Sequence, residues 1–218
     1  MESLDSSRQH ALRRLIAQHC PRGRRETAIP RVALMRADAV STPVATVYEP
    51  RLTLVAQGSK QVELGNTRFD YDEDHYLVVS VELPVQSRVC KASPEKPFLA
   101  VSLQLDVGQL SSLLLEPAPE PRLSHPVAGV GTSAMTPEII DPVIRLLTLL
   151  DHPHDIPVLA PLIEREILYR LLGSEQGAML RRIALADSAL SRISRAIAWI
   201  RSHYTEPLRI DAIARLAN

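Results

Sequence analysis

The chain has 218 residues, 45% hydrophobic and 23% charged, and its 25 basic and 25 acidic side chains cancel to a formal charge of zero. At about 100 to 200 residues per domain this suits one large domain or a domain with an appendage, and the apolar content excludes a disordered chain. Zero net charge excludes a whole-molecule electrostatic grip on nucleic acid or anionic lipid, which leaves local patches. The tail is the basic part: residues 181–218 hold seven arginines against Asp187, Glu206 and Asp211. The six arginines of residues 1–28 face Glu2, Asp5 and Glu26 and read as solvated charge. Two cysteines, Cys20 and Cys90, do not describe a disulfide scaffold and fit a reducing cytoplasm. The N-terminus MESLDSSRQH lacks an apolar signal core, and no run of about 18 apolar residues occurs, so neither secretion nor membrane spanning is indicated.

Residues 6–19 place Leu12, Leu15, Ile16 and His19 at helical spacing behind a serine cap, and Cys20-Pro21-Arg22-Gly23 ends that helix. From Ile29 to about Asp106 the texture is short β-branched runs: RVALMRA, ATVY, LTLVAQ, KQVEL, RFDY, YLVVSVELPV, SRVCKA and FLAVSLQL. Gln57-Gly58-Ser59 and Gly65-Asn66 read as hairpin turns between successive runs. An antiparallel all-β domain is expected, and periodicity leaves sandwich, jelly roll and barrel open. A proline-rich connector (Glu116-Pro117-Ala118-Pro119-Glu120-Pro121) then leads to helices. Thr136-Pro137 opens one whose stripe is Ile139, Val143, Leu146, Leu147 and Leu150; Leu162, Ile163, Ile167, Leu171 and Leu172 stripe the next, with DHPHDIP as the loop. Asp187 caps a basic amphipathic helix carrying Ala189, Ile193, Ile197, Ile200 and Tyr204 on one side and Arg192 and Arg195 on the wetter one. Past Thr205-Glu206-Pro207 another helix starts near Ile210, with Leu208 and Ile213 placed as a hydrophobic staple.

Several of these stretches together resemble AraC family regulators with an N-terminal cupin-like domain. The resemblance is carried by Leu52 to Lys60 (LTLVAQGSK), Tyr76 to Pro84 (YLVVSVELP) and Leu159 to Leu172 (LAPLIEREILYRLL). Downstream, Ile193 to Tyr204 (ISRAIAWIRSHY) and Leu208 to Ala217 (LRIDAIARLA) are similar to the first two helices of the family's DNA-binding domain. The resemblance implies a sensor domain for a small effector or partner, a homodimer made largely through that domain, and two C-terminal helix-turn-helix motifs. In such a motif one helix braces another that enters the major groove. Residues 210–217 match the bracing helix, with Arg209, Ile210, Ile213 and Leu216 as its scaffold, and the recognition helix is expected beyond Asn218. DNA is therefore expected as a partner of the full-length protein only. Arg209 departs from the Ser or Thr usual at this cap, and Asp211 in the first turn partly compensates. The expected class is α+β: a helix and loop over 1–28, a cupin-like β-barrel or jelly roll over 29–110, a connector and helical dimerisation region over 111–180, and an incomplete helix-turn-helix domain over 187–218.

Many cupins hold a metal through clustered histidines and a carboxylate, which motivates an alternative reading as a metal-dependent enzyme. The β region offers only His75, in the acidic turn DYDEDHY, and reads as a solvated turn. His152 and His154, beside Asp151 and Asp155, lie in a proline-containing loop where polar residues are expected anyway. No G-x-S-x-G elbow, P-loop or G-x-G-x-x-G occurs, so no catalytic residue, metal ligand or cofactor is assigned and no enzyme is expected. A ligand pocket belongs at the barrel mouth, for which Met35, Tyr48, Gln57 and Tyr76 are the candidate lining, although a one-residue slip in register would exchange their faces. A dimerisation or partner-binding module without a small ligand stays open, and the two leucine-rich helices over 137–172 offer the apolar surface for a dimer.

Overall fold

Strands buried on both faces and strands buried on one face divide the β region into two sheets, and the division is visible residue by residue. The computed structural model describes residues 2–115 and 129–185. The helices expected over 187–217, with Arg209, Ile210, Ile213 and Leu216, lie outside the described residues, as does the proline-rich connector. The larger sheet has six strands: β1 (Gly23–Glu26), β2 (Val32–Ala37), β4 (Arg51–Gln57), β7 (His75–Val79), β9 (Phe98–Gln104) and β10 (Val130–Ala134). Their order is β1-β2-β9-β4-β7-β10. The smaller sheet orders β3 (Val44–Tyr48), β8 (Leu83–Lys91), β5 (Ser59–Leu64) and β6 (Thr67–Asp72) as β3-β8-β5-β6. Every neighbouring pair is antiparallel.

In β9, Phe98 and Ala100 join an inter-sheet core with Val55, Val62, Tyr71, Leu77 and Val85, while Leu99, Val101 and Leu103 point into a second core beneath the helices. Central strands of the larger sheet are therefore apolar on both sides, which is why LTLVA and FLAV read as continuous runs. The smaller sheet alternates instead, as TRFDYD does by burying Phe69 and Tyr71 and leaving Arg68 and Asp70 wet. Its edge strand β3 exposes Val44 and Val47 to solvent.

The Gly65-Asn66 turn does join a hairpin, with Leu64 opposite Thr67. The segment at Gly58 does not: β4 pairs with β7 and β9, and β5 pairs with β6 and β8, so the chain crosses from one sheet to the other there. Short spacing resembled a turn, but both flanking strands found better partners elsewhere. Gly58 adopts φ +84°, and a Cβ there would sit 2.3 Å from the Lys91 carbonyl oxygen. The run YLVVSVELPV likewise breaks at Ser80–Glu82, and its end joins SRVCKA as β8. Strands β1 and β10, which lie in the stretches read as loop and connector, edge the larger sheet, and α2 (Val107–Leu113) follows β9 behind an Asp106 cap that accepts from the Gln109 amide at 3.0 Å.

Four helices cover the outer face of the larger sheet: α1 (Glu2–His19), α2, α3 (Pro137–Thr148) and α4 (Ile156–Leu172), joined by a helical stretch at 177–185. Leu12, Leu15 and Ile16 of α1, Ile139 to Leu147 of α3 and Ile167 to Leu172 of α4 supply the buried stripes. Each such leucine or isoleucine withdrawn from water stabilises by about 2 kcal/mol. The DHPHDIP loop holds two 3-10 turns, Leu149–Asp151 and Pro153–Asp155. Two ion pairs fasten helices to their surroundings: Arg8 to Asp141 at 2.7 Å, and Arg31, which donates to both oxygens of the buried Glu164 at 3.0 and 2.7 Å. Among the described residues, no helix is long and apolar enough to cross a membrane.

The crossing at Gly58 generates a stability prediction. Gly58→Ala places an L side chain in the left-handed region against a fixed carbonyl, and is expected to cost about 3 kcal/mol in urea unfolding. A loss below about 1 kcal/mol would show that the crossing does not need glycine.

Candidate functional site

Seven of the ten strands line a cavity of about 60 Å³ between the two sheets. Its wall alternates with the pleat. From β4, Arg51 and Thr53 enter it, two residues apart; from β5 comes Lys60, in phase with the core residue Val62; from β6 comes Tyr71, in phase with Phe69. Met35 of β2, Tyr48 at the end of β3, Phe98 and Ala100 of β9 and Arg24 of β1 complete the surface that matters. The lining contains three cations and no carboxylate.

Tyr48 is the centre of the charged end. The Arg51 guanidinium carbon lies 4.7 Å from its ring centroid and the Lys60 ammonium 5.6 Å, both within range of a cation–π attraction. Arg51 is nearly buried, with 11% of its side chain exposed; its Nε donates to the Glu49 carbonyl at 3.0 Å, and the more exposed Glu49 carboxylate stands 3.8 Å away. Burial and the like charge of Arg24 push the Arg51 pKa down, against the pull of Tyr48, Glu49 and Tyr71. Burial also resists ionisation of Tyr48, yet the Lys60 ammonium prevails and its pKa falls below the ordinary tyrosine value. Tyr71 goes the other way: complete burial, then the neighbouring Tyr48, hold its pKa well above that value. The Tyr71 hydroxyl is shut off from solvent; the Tyr48 side chain is close enough to act on it, but the two make no hydrogen bond of proper geometry. A buried donor beside the cations Arg51 and Lys60 is suited to receiving an anion, while Arg24 is already held by Glu26 at 2.8 Å.

Of the four residues expected at the barrel mouth, the structure brings Met35 and Tyr48 together in this cavity. Gln57 sits at the β4 bulge, where its amide donates to the Pro97 carbonyl at 2.7 Å and ties β4 to the segment before β9. Tyr76 lies on the opposite face of the larger sheet, in the core under the helices. There it borders a groove of about 380 Å³ with Ser133, Thr136, Tyr169 and Arg170. Sequence reading passed over Arg51, Lys60 and Tyr71. Their signal was a polar side chain in step, at period two, with inward apolar residues. His75 pairs with Asp72 at 3.0 Å on an exposed turn, and His152 and His154 are exposed between α3 and α4. Among the described residues, no three His, Cys, Asp or Glu side chains come together to hold a metal.

Because the Tyr71 hydroxyl is buried without a partner, its removal should not cost stability. Tyr71→Phe is expected to raise the unfolding free energy by about 1 kcal/mol, read from urea unfolding. A drop of that size would reveal a hydrogen bond at this hydroxyl.

The chain matches the family described as AraC-type transcriptional regulator N-terminus over residues 28–179. No curated protein sequence matches it. Among solved structures it is similar to ToxT from Vibrio cholerae O395, with a TM-score of 0.45 and 11% identity over 84% of this chain and 66% of that one. ToxT from strain SCE256 with an unsaturated fatty acid bound gives 0.43 and 9%, again over 84% and 66%. The AraC-like transcriptional activator CuxR gives 0.40 and 10%, over 86% of this chain and 66% of that one. The chain thus spans just under two thirds of the length of these proteins. With its family match running from before β2 to beyond α4, through both sheets and the helical layer, this chain belongs to the AraC-type transcriptional regulator N-terminus family.

Proposed function

We propose that this chain is the effector-sensing and dimerising part of a cytoplasmic, non-catalytic transcription regulator that binds DNA in its full-length form. Membership of the family is the observation that carries the reading. In it, residues 29–110 form the body of the receptor, the helices within 111–180 form the dimer surface, and 187–218 open the DNA-binding domain with Arg209, Ile210, Ile213 and Leu216 in its bracing helix. A small molecule in the inter-sheet cavity is the effector. It works by binding one arrangement of the molecule better than another, since a ligand with equal affinity for both shifts nothing.

The geometry supports a route from cavity to helices. Arg31, which directly precedes β2, reaches across to Glu164 in the middle of α4 and to Asp106, 3.6 Å away at the cap of α2. Arg31 holds φ at +64°, a conformation that costs a non-glycine residue about 1–2 kcal/mol and that the bidentate pair holds in place. Strand β2 also carries Met35 into the cavity, so one strand touches both ends of the route.

The dimer surface narrows to α4. The α3 stripe from Ile139 to Leu147 is spent inside the protein, whereas α4 exposes Val158 and Leu162, at 67% and 61%, with Leu159 beside them. Leu162 thus leaves the stripe in which Ile167, Leu171 and Leu172 are buried. Burying such a face against its equivalent in a second copy makes a two-fold dimer. Light scattering at micromolar concentration is expected to give a dimer, and Leu162→Glu a folded monomer; a dimer that survives Leu162→Glu would place the interface elsewhere.

In gel retardation the full-length regulator is expected to retain its operator DNA at low salt, with retention falling steeply as salt rises. Failure to retain any DNA at low salt would overturn the regulator reading.

A further inference from the structure

We infer that the effector is a compact monocarboxylate, its carboxylate held between Arg51 and the Tyr71 hydroxyl and its short apolar body laid against Phe98 and Met35. The inference rests on the reading of the inter-sheet cavity as the receptor site. Four observations choose the chemistry. The lining offers cations from three strands and no carboxylate; Glu26 holds Arg24 from outside it at 2.8 Å, and Arg51 and Lys60 give the cavity a positive end that repels a cationic ligand and attracts an anion. Arg51 is almost wholly buried and its only acidic neighbour stands 3.8 Å off on the solvent side, so its fork retains donors for a planar, two-oxygen acceptor. Tyr71 presents an unpartnered hydroxyl from complete burial, and a carboxylate supplies the acceptor it lacks. The remaining wall is mostly apolar, with Met35, Phe98 and Ala100 beside the hydroxyls of Thr53 and Ser102, which disfavours a fully hydrated inorganic anion and suits a short hydrocarbon body.

Size limits that body. A cavity of about 60 Å³ admits a chain of a few carbons, well below the several hundred Å³ of sites for drug-sized molecules. The Tyr48 ring keeps Arg51 and Lys60 together at one end of the cavity, 4.7 and 5.6 Å from its centroid.

Titration calorimetry of the full chain with propionate, propionamide and inorganic phosphate tests this, with the Met35 methyl resonance reporting binding in the cavity and Met135 as a control among the helices. Propionate is expected to bind at least about tenfold more tightly than either of the others and to move Met35 alone. Arg51→Gln should lose about tenfold in propionate affinity, Arg51→Lys less, and Tyr71→Phe several-fold. Propionamide binding as tightly as propionate, with Met35 moving, would overturn the carboxylate assignment and leave the cavity as a receptor. Phosphate binding as tightly would show an anion hole without the assigned class and overturn it too. No binding, or binding that leaves Met35 unmoved, would overturn both the assignment and the receptor reading.

Discussion

The central strands of the six-stranded sheet are buried on both faces, and the cavity on one side and the helical layer on the other are both built on them. On such strands a side chain of either face is one residue from a side chain of the other, and polar groups such as Arg51 and Thr53 gather at the cavity. Thr53 and Val55 of β4 face the smaller sheet, and Leu52 and Leu54 between them face the helices. Dense packing on both sides makes the layer stiff. The inter-sheet cavity and the helical layer are thus separated by the thickness of a single sheet.

Charge placement repeats the same division. On the helical side, Arg31 meets Glu164 and Asp106, and the buried carboxylate is answered by a guanidinium in bidentate geometry. On the cavity side, Arg51 and Lys60 gather round the Tyr48 ring, with no carboxylate in the lining. A buried cation is costly, and the aromatic face and the Glu49 carboxylate 3.8 Å from Arg51 offset part of that cost.

Much of the architecture was legible in the residues themselves. The strand texture from Ile29 to Asp106, the Gly65-Asn66 hairpin and the α3 stripe follow from propensity and periodicity, which are local properties. Pairing was not. Gln57-Gly58-Ser59 has the composition of a hairpin turn, yet the residues that decide its geometry are Lys91 and Phe98, more than thirty positions away. The polar strand β1 and the short strand β10 carry little propensity of their own, and each forms because an edge of the larger sheet offers it backbone partners.

By itself the sequence determined the α+β class, the strand-rich middle with a helix before it and a helical pair after it, and the family resemblance, because these rest on composition and on patterns within about a dozen neighbours. Only the tertiary structure decided which candidates share a site. Met35 and Tyr48 meet in the cavity, while Tyr76 is turned to the helices and Gln57 to the Pro97 carbonyl. The tertiary structure alone also added Arg51, Lys60 and Tyr71 to them. The physical reason is register: side chains alternate across a strand, so the face a residue occupies is set by long-range pairing and by a bulge such as the one between Val55 and Gln57, and not by the residue's own identity.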